Sequence, residues 1–280
     1  MLAAMEEQHE RPLENEPRAA RSEPSPPDPE RAADERLRRL RRARSEALGE
    51  VTGLSWLNRL VVGGPPAQDG PGSTMHVALA DGSLTDAEFA QFLAAYYWGA
   101  QHQLGDVAPI GEPERGAHAW YREYIKSLIM QEDGPDGRRG ILGRYLRSLA
   151  LEPGEIPESA EAFVERAGRG YRADLGRALG YALAVEVESD FQLSLIALAL
   201  TRRFPRATAE TVLSDLRLDT GREAERAHAL CGAIEVLLVS HEIVRADVEA
   251  GFVRAVADER EFMLGMYEEL KGDDVATQVW

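Results

Sequence analysis

The chain has 280 residues, 44% of them apolar and 29% charged, with a formal net charge of −16 and one cysteine. That is a globular composition with enough chain for a large core, and a lone Cys231 excludes an internal disulfide or a thiolate zinc cluster. Residues 1–74 carry −2 and residues 75–280 the remaining −14, which sets the globular part against a phosphate backbone, so no nucleic-acid partner is expected.

The wholly apolar run Leu195-Ile196-Ala197-Leu198-Ala199-Leu200 is far shorter than the roughly 20 residues that span a bilayer. The N-terminus is acidic and polar where a signal peptide has a basic end and an apolar core. No membrane partner and a cytoplasmic location are therefore expected. Residues 1–30, with Ser22-Glu23-Pro24-Ser25-Pro26-Pro27-Asp28-Pro29, have the composition of a disordered extension. Residues 31–74 read as a basic amphipathic helix followed by a Gly/Pro linker. Arg36, Arg38, Arg39, Arg41, Arg42 and Arg44 crowd one stretch, while Leu37, Leu40, Ala47, Val51 and Leu54 keep helical spacing over 31–61. The arginines are either a solvated face or a dock for an acidic surface.

Residues 75–270 form one helical domain by pattern, and 271–280 a flexible tail ending in Trp280. Thr85 with Glu88 predicts a capping box. Phe89, Phe92, Leu93, Tyr96, Tyr97 and Ala100 make the first stripe. Ala117, Trp120, Tyr121, Tyr124, Ile125, Leu128 and Ile129 make the second, ending at the breaker 132–137. A short helix over 141–149, a segment around 160–165 and a long helix from about Ala173 to Arg203 follow. Pieces over 207–218, 222–245 and 246–270 complete the chain. Val248, Phe252, Ala255, Phe262, Met263 and Met266 line the last. No strand alternation is present, so the fold class is all-α.

Glu186 stands in the stripe Leu175, Leu179, Ala182, Leu193, Ala197, Leu200. A carboxylate there costs several kcal/mol unless it is paired or bound to a cation. It is a metal ligand, a base, or half of a buried pair with an arginine. Asp190 lies one turn on. The stretch 213–228 offers two registers. By spacing, Glu225 and His228 form a Glu-x-x-His pair. By the phase of Ala227, Leu230, Ile234, Leu237 and His241, Glu223 and Asp219 point inward and His228 outward. His241 reads as a hydrogen-bonded core histidine ahead of a ligand, and His102 and His118 as surface or rim residues. Cys231 reads as a buried small hydrophobe. Glu132 and Asp133 are either a polar turn or carboxylates facing Glu186. No phosphate loop, His-Glu-x-x-His or nucleophile elbow is present.

The order of these elements resembles the haem-oxygenase-like superfamily, and within it the non-haem diiron oxidases and oxygenases. The residues that carry the likeness are 76–84 (His76 to Leu84), Phe92-Leu93-Ala94-Ala95-Tyr96-Tyr97-Trp98, Glu132-Asp133-Gly134 with Tyr145-Leu146-Arg147-Ser148-Leu149, Tyr181-Ala182-Leu183-Ala184-Val185-Glu186, and 216–223. The resemblance implies a haem-oxygenase-like bundle holding two iron ions, with Glu132, Glu186, Asp219, Glu223 and His228 as the ligand positions. It implies oxidation of a small-molecule or peptide substrate in biosynthesis, by a homodimer or a pair with a homologue. Imidazole is scarce at those positions. Arg138-Arg139-Gly140 falls where one histidine is expected, and in the phase-supported register Asp219 and Arg226 replace two more. An oxygen-rich set favours harder ions or no metal, and an inward Arg226 would neutralise Glu186 instead. The alternative expectation is accordingly a metal-free or catalytically inactive member that binds a ligand or a partner.

Overall fold

A computed structural model describes residues 35–43 apart from 36 and 41, then 52–62, 73–103, 117–132, 155–204 and 222–272. The expectations for 1–30, the linker up to 72, Asp133, the pieces at 141–149 and 207–218, and the tail from 273 lie outside these residues, while Ser73 and Thr74 of the expected linker and Lys271 of the expected tail are helical. The bounded helices are α1 Ser55–Val62, α2 Ser73–Asp81, α3 Asp86–His102, α4 Ala117–Glu132, α5 Glu158–Tyr171, α6 Leu175–Arg203, α7 Arg222–Val239 and α8 Arg245–Lys271. Among the described residues there is no strand.

The fold is organised around α6. Its residues from Ala178 to Val187 are all buried, so it is a central helix, covered on every side along this stretch. Small side chains make this workable. Gly180 faces α8 so closely that a Cβ there would lie 2.0 Å from the Val248 carbonyl oxygen, and one on Gly251 would lie 2.0 Å from the Arg177 carbonyl oxygen. The two backbones therefore touch. From this contact the pairs step forward along both helices, to Gln192 against Glu259, so α6 and α8 run in the same direction. Gly180→Ala is expected to destabilise the fold by about 2–3 kcal/mol by forcing these backbones apart. Gly232→Ala on α7, where nothing lies within 4 Å, should instead stabilise it by about 0.5–1 kcal/mol. Urea denaturation of both variants checks the contrast.

Local sequence sets the helix ends. The Thr85 capping box forms as predicted, with the Glu88 N–H donating to Thr85 Oγ1 at 3.2 Å and the Thr85 N–H to Glu88 Oε2 at 2.5 Å. The helix expected over 222–245 stops at Val239. His241 takes φ 60° and is exposed, which corrects its reading as a core residue. The His241 N–H donates to the Leu238 carbonyl and the Glu242 N–H to that of Leu237. These two bonds close a Schellman turn with histidine at the left-handed position. The turn lets Ile243 pack against Gly176 and starts α8 beside the start of α6. The chain over 31–61 is also not one helix, since Thr52, Gly53 and Leu54 are non-helical. Gly53 donates its N–H to Glu235 Oε1 at 2.8 Å, and the Arg245 guanidinium lies 5.0 Å over the Trp56 ring, fixing α1 to α7 and α8. Of the basic stretch, Leu37 is buried, whereas Arg38, Arg39 and Arg42 are exposed and Arg39 pairs with Glu35.

The remaining helices close around α6. α5 packs antiparallel on α8, with Phe163 stacked on Phe262 at 4.9 Å and Ser159 beside Gly265. α2 lies along α6 and α8, tied by Arg202 to the Ala80 carbonyl and by Arg203 to that of Leu84. α2 begins at Ser73, within the stretch up to 74 expected as linker. α3, α4 and α7 complete the wall on the side of α6 that carries Glu186.

Candidate functional site

Glu186 is 3% exposed and three helices meet on its carboxylate. From α4, Tyr124 donates its O–H to Glu186 Oε1 at 2.5 Å. From α7, Arg226 brings Nε to 2.8 Å from the same oxygen. That contact is ionic, because the N–H is not aimed along it. The other end of the guanidinium turns to its own helix, where Arg226 Nη2 donates to Glu223 Oε1 at 3.2 Å. Glu223 is also 3% exposed. One cation thus bridges two buried carboxylates, and Glu223 sits three residues before it, one helical turn along the inward face.

Burial pushes the Glu186 carboxyl above its ordinary range, and the Arg226 charge and the Tyr124 hydrogen bond only partly offset this. Burial alone would lower the Arg226 guanidinium, but Glu186 and Glu223 outweigh it and hold it higher still. The Tyr124 phenol is raised by burial first and by Glu186 second, so it stays a neutral donor. The Tyr96 and Tyr171 phenols are raised by burial as well.

Beside this cluster lies a cavity of about 50 Å³. Tyr96 and Tyr97 of α3, Tyr171 at the end of α5, and Glu186, Glu223 and Arg226 form much of its lining, with Gln103, Leu128 and Ser189 among the rest. Tyr171 is held by the Tyr121 O–H, which donates to its carbonyl at 3.2 Å. Trp120 stacks on Tyr124 at 5.8 Å. A space of this size holds a few water-sized groups, at roughly 10–15 Å³ for each.

No family model, curated protein or solved structure matches this chain. Its chemistry therefore rests on these side chains.

The five positions assigned by resemblance divide. Glu186 and Glu223 come together through Arg226. His228 is exposed and lies on the outer side of α7, as the helix phase predicts. Glu132 ends α4, but its side chain lies outside the described residues, as does all of Asp219. The described donors that meet here, Glu186 and Glu223, do not by themselves make up a diiron ligand set. Arg226 stands between the two carboxylates where a metal ion would be held, and among the described residues no group of three or more His, Cys, Asp or Glu side chains could hold one. These residues support no chemical step through iron. His102 stacks on Trp98 at 4.4 Å and places Nδ1 2.8 Å from the Trp98 carbonyl oxygen. Cys231 is buried, and burial pushes its thiol up to about 12.

Tyr124, read only as core, is part of the site. Its signal was available: Tyr121 and Tyr124 lie in an apolar stripe, and a buried phenol needs a partner. A second cluster was also missed. Asp258 and Glu259 of α8 are 1% and 5% exposed. Asp258 takes Arg254 Nη2 at 2.9 Å, Arg166 Nε at 3.4 Å and the Tyr181 O–H at 3.2 Å. Glu259 lies 2.5 Å from Gln192 Nε2, and burial pushes its carboxyl up to about 8, with Glu188 and Asp258 adding to the rise. Both acids follow Ala255 by three and four residues and precede Phe262 by the same steps, so helical spacing could have placed them inward.

Proposed function

We propose that this chain is a metal-free binding protein on a haem-oxygenase-like helical scaffold, whose buried Glu186–Arg226–Glu223 cluster and tyrosine-lined cavity hold a small polar molecule. The observation that carries this reading is Arg226 Nε at 2.8 Å from Glu186 Oε1. A guanidinium supplies the positive charge that a metal would supply, and it repels any second cation of high charge density from the same carboxylate. The cavity gives the cluster something to act on. The phenols beside it remain protonated, so they present hydrogen-bond donors and aromatic surface rather than charge.

Expression with added iron or manganese, followed by metal quantification, tests the reading. Well below one metal per chain is expected under either supplement, with no change in His228→Ala, because that side chain is outside the site. Stoichiometric metal that disappears in Glu186→Gln would overturn it and restore the oxidase expectation.

A further inference from the structure

We propose that the cavity beside Glu186 binds a small neutral alcohol, whose hydroxyl donates to the Gln103 side-chain carbonyl oxygen. The inference rests on the metal-free binding reading and deepens it by naming the ligand class. Gln103 lines the cavity, is 9% exposed, and its Oε1 is buried with no hydrogen-bond partner. A buried acceptor in that state is unfavourable, and a donor in the cavity would relieve it. The residue is fixed in place. It caps the end of α3, where its backbone N–H donates to the Gly99 carbonyl at 2.9 Å. α5 passes so close that a Cβ on Gly168 would lie 3.9 Å from the Gln103 backbone carbonyl oxygen. The side chain therefore starts from a packed helix end.

The wall argues against an ion of either sign. Arg226 lies against Glu186 and Glu223, and Tyr124 donates to Glu186. Glu223 and Arg226 make further interactions as well, so these three charges of the lining are already engaged. A cation would meet Arg226 and an anion would meet two carboxylates, and either would give up its hydration to enter. The rest of the lining suits a neutral molecule with a short apolar stem. Tyr96, Tyr97, Tyr171, Leu128 and Leu193 contribute ring and aliphatic surface. Size and donor count complete the assignment. A space of about 50 Å³ holds roughly three or four heavy atoms. The Gln103 oxygen calls for one donor, which a hydroxyl supplies. A carboxamide would bring a second N–H and a carbonyl into the same small space.

The test uses the full chain and four probes of similar size: ethanol, acetonitrile, ethylammonium and acetate. Binding is followed by the NMR shifts of the tyrosine ring resonances at constant pH and ionic strength. Ethanol is expected to shift the rings saturably, at about millimolar concentration or above, the ceiling for so small a ligand. Acetonitrile is equally neutral but has no donor, and it should bind about three- to tenfold more weakly. The two ions should bind more weakly still. Gln103→Met keeps the stem and removes Oε1. With a circular dichroism spectrum matching that of the parent, it should bind ethanol no better than acetonitrile. A preference for ethanol that persists in the folded variant overturns the contact with Gln103. If Gln103→Met does not fold, the probe series on the unaltered chain decides alone. Tightest binding of acetonitrile, ethylammonium or acetate overturns the alcohol assignment and leaves the binding reading standing. Rings unmoved by any probe mean that the cavity holds water alone, and overturn both.

Discussion

Arg226→Met is expected to destabilise the fold by about 3–5 kcal/mol at neutral pH, the usual cost of stranding a buried charge. For a chain of this size that is a fall in Tm of about 10 °C. The methionine keeps the aliphatic stem but leaves Glu186 and Glu223, each 3% exposed, without their shared cation. Glu186 keeps only the Tyr124 hydrogen bond, which does not neutralise it. The sign of the pH dependence follows. With Arg226 gone, burial acts on Glu186 almost unopposed and raises its carboxyl further than in the parent. An acid whose folded value is raised contributes stability below its unfolded value and loses it as pH rises through the folded value. The variant's deficit should thus shrink on acidification and widen toward neutral pH. Adding Glu186→Gln and Glu223→Gln should recover most of the loss, since the stranded charges go with it. Denaturant midpoints of the single and triple variants at acid and neutral pH decide this. An unchanged midpoint in Arg226→Met would show that the guanidinium does not compensate the two acids.

The second large effect belongs to Glu259. Glu259→Gln should gain stability over the parent as pH rises, from little difference near pH 4.5 to on the order of 4 kcal/mol above pH 8. The unfolded chain releases this proton near the ordinary value of 4.5, while the fold holds it to about 8. Across that window the native state binds more protons than the unfolded state, so the parent loses stability with rising pH. Above it both states are ionised and the curve flattens. A glutamine cannot ionise, so its curve lacks this slope. Among the groups around Glu259, the acids Glu188 and Asp258 add to the rise and the Gln192 hydrogen bond offsets it only in part, and its field raises the Tyr96, Tyr171 and Tyr181 phenols. Its near neighbour Gln192 lies 2.5 Å away, a separation that also suits an O–H···O bond. Gln192 Oε1 has no partner, so a half-turn of the amide would let it accept the Glu259 proton. Urea curves from pH 5 to pH 9 should converge at the acid end. Parallel curves would mean that Glu259 is ionised throughout.

Helix phase was the most informative property of the sequence for this site. Ala227, Leu230, Ile234 and Leu237 are buried, and their spacing by itself turns Glu223 inward and His228 outward. The same spacing along α6 puts Glu186 inside, and Thr85 with Glu88 marks the start of α3. Each is a local property: residues a turn apart share a face whatever packs against it. The stripe along α6 marks only one of its buried faces, because small residues and close glycine contacts allow burial on every side. The helix assigned to 222–245 was too long because alternation of apolar residues does not reveal a histidine at φ 60°.

What only the tertiary structure decided is which inward groups meet. Periodicity orients a side chain about its own helix axis. It says nothing of the distance to a residue on another helix, which depends on where the helices cross. Tyr124 and Glu186 are 62 positions apart, and with Arg226 they come from three helices. Their meeting depends on α4 and α7 both closing on the same side of α6. The burial of Glu186 was determined by its place in an apolar sequence. Its partner, the Arg226 guanidinium, was determined by packing.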